Sequence, residues 1–167
     1  MNQPSFTTER LILRPREAGD LEASVAVNSD PEVMRYLGAV WPPERQRAHL
    51  SAQIDTDFGE GLGYWSVFEQ SAPQQMLGWA LLTPLPATDD VQIGYRLRRD
   101  AWGRGIATEA AGRLMEHAFS RLKLPALAAT VHPENLGSQR VMAKLGFSDI
   151  GSYDAGGKVE RLYRRLP

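Results

Sequence analysis

The stretch from Asp100 to Gly112, DAWGRGIATEAAG, constrains this chain more than any other. It follows DVQIGYRLR, a strand-like run with Val91, Ile93, Tyr95 and Leu97 on one face. It leads into a segment in which Ala107, Ala110, Ala111, Leu114, Met115 and Ala118 recur at helical spacing. A further strand-like run, ALAATVH, comes next. Strand, glycine loop, helix and strand in that order predict a parallel crossover. Ligands in such sheets gather at the carboxyl ends of the strands. Glycine is a poor helix former, so Gly103 and Gly105 just before a helix need another reason. One reason is a plain turn. The other is an anion: successive amide N–H groups converge there, the helix N-terminus adds partial positive charge, and a missing Cβ lets phosphate oxygens reach the backbone. Arg104 adds a charged contact at the rim. Neither familiar phosphate pattern is present, since no Gly-Lys-Ser/Thr follows and no third glycine lies three residues after Gly105.

The rest of the chain frames this unit. TERLILRP reads as a first strand ended by Pro15. Three helical segments follow: REAGDLEASVAVNSD, with Leu21 and Val25 on one face; DPEVMRYL, with Asp30 as N-cap and Pro31 in its first turn; and PPERQRAHLSAQIDTDF. YWSVFEQ and MLGWALLTPL are strands around a SAPQQ loop. NLGSQRVMAKLGF is a short helix closed by Gly146, and FSDIGSYDA with KVERLYRRL forms a last hairpin around Gly156 and Gly157. The order is β α α α β β β α β α β β. It predicts one α+β domain over residues 1–167, a mixed sheet with helices on its faces.

Composition narrows the function. With 19 basic and 20 acidic side chains the formal net charge is -1, which argues against a general nucleic-acid or membrane-surface binder. No cysteine is present, so disulfides, zinc–thiolate sites and a cysteine nucleophile are excluded, and no metal is expected. MNQPSFTTER lacks the apolar centre of a signal peptide, and no apolar run is long enough to span a bilayer. A cytoplasmic location is the expectation.

A second constellation lies in VHPENLGSQRVMAKLGF. Asn135 and Ser138 stand three apart at a helix start and share a face. They either point toward the cleft beside the glycine loop, or they are a helix cap and a surface serine.

WGxGxATEA, TERLxLRP and PxNxxSxxxxxKLGF, together with SDPEVMRYL, resemble the GNAT acetyltransferase superfamily in order and spacing. The likeness is greatest to its ribosomal-protein N-terminal acetyltransferase branch, the RimJ/RimL type, and runs from about Thr8 to Leu166. The resemblance implies acetyl-CoA as the donor and a mostly antiparallel sheet with a central splayed parallel pair and helices on both faces. It implies that the CoA pyrophosphate sits on the amides of Gly103, Arg104, Gly105, Ile106, Ala107 and Thr108. It further implies that the pantetheine arm pairs with the backbone of Tyr95, Arg96 and Leu97, and that Asn135 bonds the same arm. Many superfamily members carry a tyrosine general acid seven residues after the asparagine; here that position is Met142. Ser138 is then the residue that meets the leaving thiolate, and the backbone N–H near Leu97 polarises the thioester carbonyl. A homodimer is common on this fold by the same resemblance.

The expected reaction is direct attack of a neutral amine in a ternary complex. Asp154, Glu160 and His132 through a water are the candidates for a general base, each with an ordinary structural role as alternative. An α-amino group, with a pKa of about 7.7–8.0, needs less help from a base than a lysine-like amine at about 10.4. An N-terminal or amino-acid amine is therefore favoured over a polyamine. Trp41, Tyr64 and Trp65 are candidate walls of the acceptor pocket, formed by the second and third helices, the GAVWPP loop and the late hairpin. For Trp65 and Trp79 the leading reading is core aromatics of alternating strands, and for Glu109 it is a first-turn dipole and capping residue. The alternative is a non-catalytic acyl-CoA binding or sensor protein on the same fold.

Overall fold

The structure is a computed structural model and describes residues 3–167. Thirteen regular elements follow in order: strands β1 (Phe6–Thr7) and β2 (Leu11–Pro15), helices α1 (Leu21–Asn28), α2 (Pro31–Met34) and α3 (Pro43–Asp55), and strands β3 (Gly63–Glu69), β4 (Ala72–Pro84) and β5 (Val91–Leu97). Then come α4 (Ile106–Ser120), β6 (Leu127–Val131), α5 (Leu136–Lys144), β7 (Ser148–Asp154) and β8 (Val159–Arg165). The strands form one 8-stranded sheet in the order β1-β2-β3-β4-β5-β6-β8-β7. Every neighbouring pair is antiparallel except β5 and β6, the parallel pair that the crossover through α4 requires.

Strand alternation divides the interior between the two sheet faces. Trp65, Val67, Ala80, Leu82, Ile93 and Leu97 face α4 and α5, and join Ile106, Ala110, Leu114, Met142 and Leu145 in the main core. Phe68, Met76 and Trp79 face the other way and meet Val27 of α1 and Val33 of α2 in a smaller cluster. Helices therefore cover both faces.

Several boundaries differ from the sequence reading. The first helix is shortened: Gly19 lies in a separate 3-10 turn, Ala18–Asp20, with a capping box between Glu17 and Asp20. The β3–β4 connection is tighter than SAPQQ, because Glu69 pairs with Ala72 and only Gln70 and Ser71 turn. Pro73–Gln75 belong to β4 as a bulge, and a proline followed by two glutamines carries no strand signal. The two-residue β1 pairs with β2 and is too short to show a period.

Two features position the central strands. At Gly78, φ is +147° and an added Cβ would lie 2.0 Å from the Arg96 carbonyl oxygen, so only glycine lets β4 approach β5 so closely there. On its other side β5 pairs with β6 only at Val91–Leu127 and Gln92–Ala128. Beyond those two pairs the strands have no ladder partners across the gap, and a slot opens toward their carboxyl ends.

Candidate active site

The slot leads to the glycine loop. Gly103 and Gly105 both have positive φ, +69° and +77°, and Gly105 is the N-cap of α4. A glycine cap has no side chain to bond the first-turn amides, and none is supplied from elsewhere to the cap position. α5 and α2, in contrast, are capped by Asn135 and Asp30, whose side chains accept from Ser138 N and Glu32 N. The amides at the start of α4 thus lack the side-chain satisfaction that most helix starts contain. A Cβ at Gly103 would meet nothing within 4 Å, so the loop faces open space. Exposed amides, a helix dipole and room for approach fit a phosphate group.

The N-terminal strands brace this loop. Glu109, in the first turn of α4, accepts from Thr8 Oγ1 (2.6 Å), Arg10 N (2.8 Å) and Arg10 Nε (2.7 Å). Burial disfavours its charge, but these bonds outweigh that and hold the Glu109 carboxyl below its ordinary range. Arg10 also donates from Nη1 to the Arg104 carbonyl (2.8 Å). The TER and TEA segments, far apart in sequence, are thus a clasp. The Arg104 side chain pairs with Glu69, so its guanidinium is engaged by protein. Trp102 ties its indole N–H to the Leu97 carbonyl (3.0 Å).

Across the slot, Tyr95 of β5 donates its phenolic O–H to Ser138 Oγ of α5 (3.0 Å). Burial raises the Tyr95 pKa, and the Ser138 bond pulls the other way without cancelling it. Tyr95 therefore keeps its proton well above neutral pH. Sequence reading placed Tyr95 here for its backbone and missed the phenol. The signal was its inward position on β5, on the face it shares with Val91, Ile93 and Leu97. Met142 is 2% exposed and lies in the main core. The side chain of Asn135 caps α5, the structural alternative weighed above.

Asp154 and His132, two of the three base candidates, have local side-chain partners. Asp154 Oδ1 accepts from Gly157 N (2.6 Å) and so shapes the β7–β8 turn. Glu160 lies in β8 opposite Tyr153. His132 stacks on Tyr36 (5.1 Å between centroids), and its Nδ1 accepts from Glu134 N (3.1 Å). That bond puts the ring proton on Nε2, the wrong tautomer for accepting a proton there.

On the α1–α3 face, Gln53 Nε2 of α3 donates to Tyr64 Oη (3.1 Å), and Trp41 stands edge-on to His49 of α3 (5.3 Å). Trp65 does not join them. As the next residue along β3 it points to the opposite face, is fully buried beside Phe6 and His117, and donates to the Pro4 carbonyl (2.7 Å). A separate groove of about 670 Å³ lies between α1 and the Arg98–Asp100 segment, and none of the expected site residues line it. Among the described residues no helix is long and apolar enough to cross a membrane.

Comparison with known proteins agrees with this geometry. Residues 10–148 match the family described as Acetyltransferase (GNAT) domain. A curated protein of Aspergillus fumigatus named FsC-acetyl coenzyme A-N(2)-transacetylase is 28% identical over 162 residues, spanning 90% of this chain and 68% of the relative. The Bacillus licheniformis protein named "Uncharacterized N-acetyltransferase p20" is 30% identical over 146 residues, 86% of this chain and 82% of its own. The crystal structure of a GNAT-family acetyltransferase from Bacillus anthracis superposes with a TM-score of 0.83 at 26% identity, covering 98% of each chain. The chain belongs to the GNAT acetyltransferase family, and it is an acetyltransferase by both its matched domain and its fold.

Proposed function

We propose that the enzyme moves an acetyl group from acetyl-CoA to a primary amine by direct attack in a ternary complex. The observation that carries this reading is the glycine-capped, open N-terminus of α4 at the end of a slot whose other wall bears Ser138. The amides of Gly103 to Thr108 hold the CoA diphosphate. The backbone of Tyr95, Arg96 and Leu97, along the unpaired end of β5, holds the pantetheine arm beside Asn135. Arg98 N–H donates to Leu77 on β4 (2.8 Å), so by strand alternation the Leu97 N–H turns toward the slot, where it polarises the thioester carbonyl. The Aspergillus relative's name supports acetyl-CoA as donor.

The C–N bond forms as the C–S bond breaks, and the amine nitrogen releases its proton to solvent. Ser138 gives its hydroxyl proton to the departing sulfur and takes one from Tyr95, which is reprotonated from solvent. The phenol on β5 thereby replaces the helix tyrosine whose position Met142 occupies. The acceptor enters from the α2–α3 side, past Trp41 and Tyr64. With Asp154 committed to a turn and His132 held in the unhelpful tautomer, a readily neutral α-amino group suits the site better than a lysine-type amine. This favours the N-terminal acetyltransferase branch, and the motifs shared with it support the same placement.

The test is an acetyl-transfer assay over peptides, free amino acids, polyamines and aminoglycosides. Transfer to α-amines is expected, with Ser138→Ala and Tyr95→Phe each lowering kcat by about tenfold or more at unchanged CoA affinity. Tight acetyl-CoA binding with no turnover on any amine would instead favour an acyl-CoA sensor.

A further inference from the structure

The α3-facing side of β5 carries a feature that acetyl transfer alone does not explain. Arg16 is 6% exposed, yet its Nε and Nη2 have no hydrogen-bond partner; the Nε of Arg96 is equally buried and equally unpartnered. Both guanidiniums lie over the Trp79 ring, at 4.5 and 5.3 Å from its centroid, and Arg16 also lies over Tyr64 at 4.7 Å. Their only side-chain bonds go to neutral amides: Arg16 Nη1 to Gln53 Oε1 (2.9 Å) and Arg96 Nη1 to Asn28 Oδ1 (2.6 Å). Burial pulls both pKa values down to about 10, which still leaves two cations at neutral pH. Asp20, the carboxylate whose charge reaches Arg16, is already taken by Arg14, Glu17 N and Ser66. Buried charge of one sign without a counter-charge is what proteins ordinarily avoid.

The two arginines stack on one indole, Trp79. Gln53, which accepts from Arg16, lies 3.1 Å through its Nε2 from the Nε2 of His49 on the exposed side of α3, so Arg16 lies one side chain below solvent. The charges of Arg96 and Arg16, after partial burial, help hold the His49 pKa below its ordinary value. Arg96 also follows Tyr95 directly in β5, so it lies on the opposite face of the sheet one residue from the phenol that meets Ser138. We propose that Arg16 and Arg96 form an anion subsite for the acceptor, and that the acceptor is an amine carrying a nearby carboxylate. Guanidiniums with spare, buried, forked N–H groups match a carboxylate in both charge and geometry. The inference rests on the acceptor entering from the α3 side, as read above.

The experiment compares matched acceptors. Free α- and ω-amino acids are assayed against their carboxamides, and short peptides with Glu at the second position against the Gln equivalents, all at saturating acetyl-CoA and with rates expressed per neutral amine. The carboxylate member of a pair is expected to be favoured at least about tenfold in kcat/KM. Whether free acids or acidic peptides show the preference identifies the source. Arg96→Gln should erase it through KM, and Arg16→Lys should retain part of it. The wild-type comparison stands even if a variant fails to fold. Equal rates for acids and carboxamides overturn the subsite while leaving acetyl transfer intact. In parallel, the unfolding midpoint of the CoA-bound protein is read with each free acid and carboxamide. Stabilisation by the acids, lost in Arg96→Gln, upholds the subsite even without turnover, in which case the transferase reading of the acceptor falls. Neither turnover nor stabilisation overturns both.

Discussion

The two faces of the sheet are built differently. The α4–α5 face is a continuous apolar core from Phe6 to Tyr163. The α1–α3 face holds a far smaller apolar cluster, and most of the protein's buried unpartnered polar atoms belong to it: Arg16 Nε and Nη2, Arg96 Nε, Ser24 Oγ and Gln46 Oε1. The first face supplies the stability that fixes β5 and α4 relative to one another. The second tolerates uncompensated polarity, which calls for an explanation, and the proposed acceptor subsite supplies one. On that proposal, fold and acceptor recognition use opposite sides of the same strands.

Breaking each side should give contrasting results. Trp65→Ala removes a fully buried indole from the first face and its bond to Pro4, and should cost about 3–5 kcal/mol in denaturant unfolding. Asp20→Asn attacks the charged anchor at the edge of the second face and should cost about 3 kcal/mol, because it strands Arg14. Burial opposes the Asp20 charge, but bonds from Arg14, Glu17 N and Ser66 outweigh it and lower its pKa. Its folded pKa being the lower one, its contribution is complete above the ordinary carboxylate range near about pH 4 and drains away as pH falls through the folded value. A pH series of unfolding midpoints should therefore show an acid loss that Asp20→Asn lacks. Arg96→Met should have the smallest effect: the ligand-free protein stays within about 1 kcal/mol of wild type or gains stability, since a buried cation is exchanged for an apolar side chain of similar length. A loss as large as that of Trp65→Ala would mean that the second face is as fully packed as the first.

Apart from the two-residue β1, the order of elements was legible because each carries its own local signal. The alternation of β5, the alanine-rich stripe of α4 and the closing Gly146 are periodic or steric facts of single segments. The glycine loop was legible for the same reason. What stayed hidden depends on residues meeting from distant segments. The clasp of Thr8 and Arg10 on Glu109 spans about a hundred positions, and neither Thr8 nor Arg10 carries a local signal of it. Tyr95 reads as one more inward residue of a strand until α5 brings Ser138 to it. Arg16 and Arg96 look like exposed cations until Gln53 of α3 and Asn28 of α1 meet them. Tyr64 and Trp65 show the same limit in reverse: alternation separates them by face, which contradicts a shared wall but says nothing about which face the acceptor uses.

The central claim is that the start of α4 is an open cradle for the CoA diphosphate, and calorimetric titration of coenzyme A into the wild type and Gly105→Val tests it most directly. Gly105 sits at φ +77° with Arg10 Nη2 only 3.3 Å from where a Cβ would stand, so valine both strains the loop and crowds it. Unfolding midpoints of the two ligand-free proteins, measured alongside, separate lost binding from lost folding. The account predicts saturable binding to the folded wild type and at least about a tenfold weaker affinity in the folded variant. Equal affinity in both proteins, or no binding to the wild type, would contradict it.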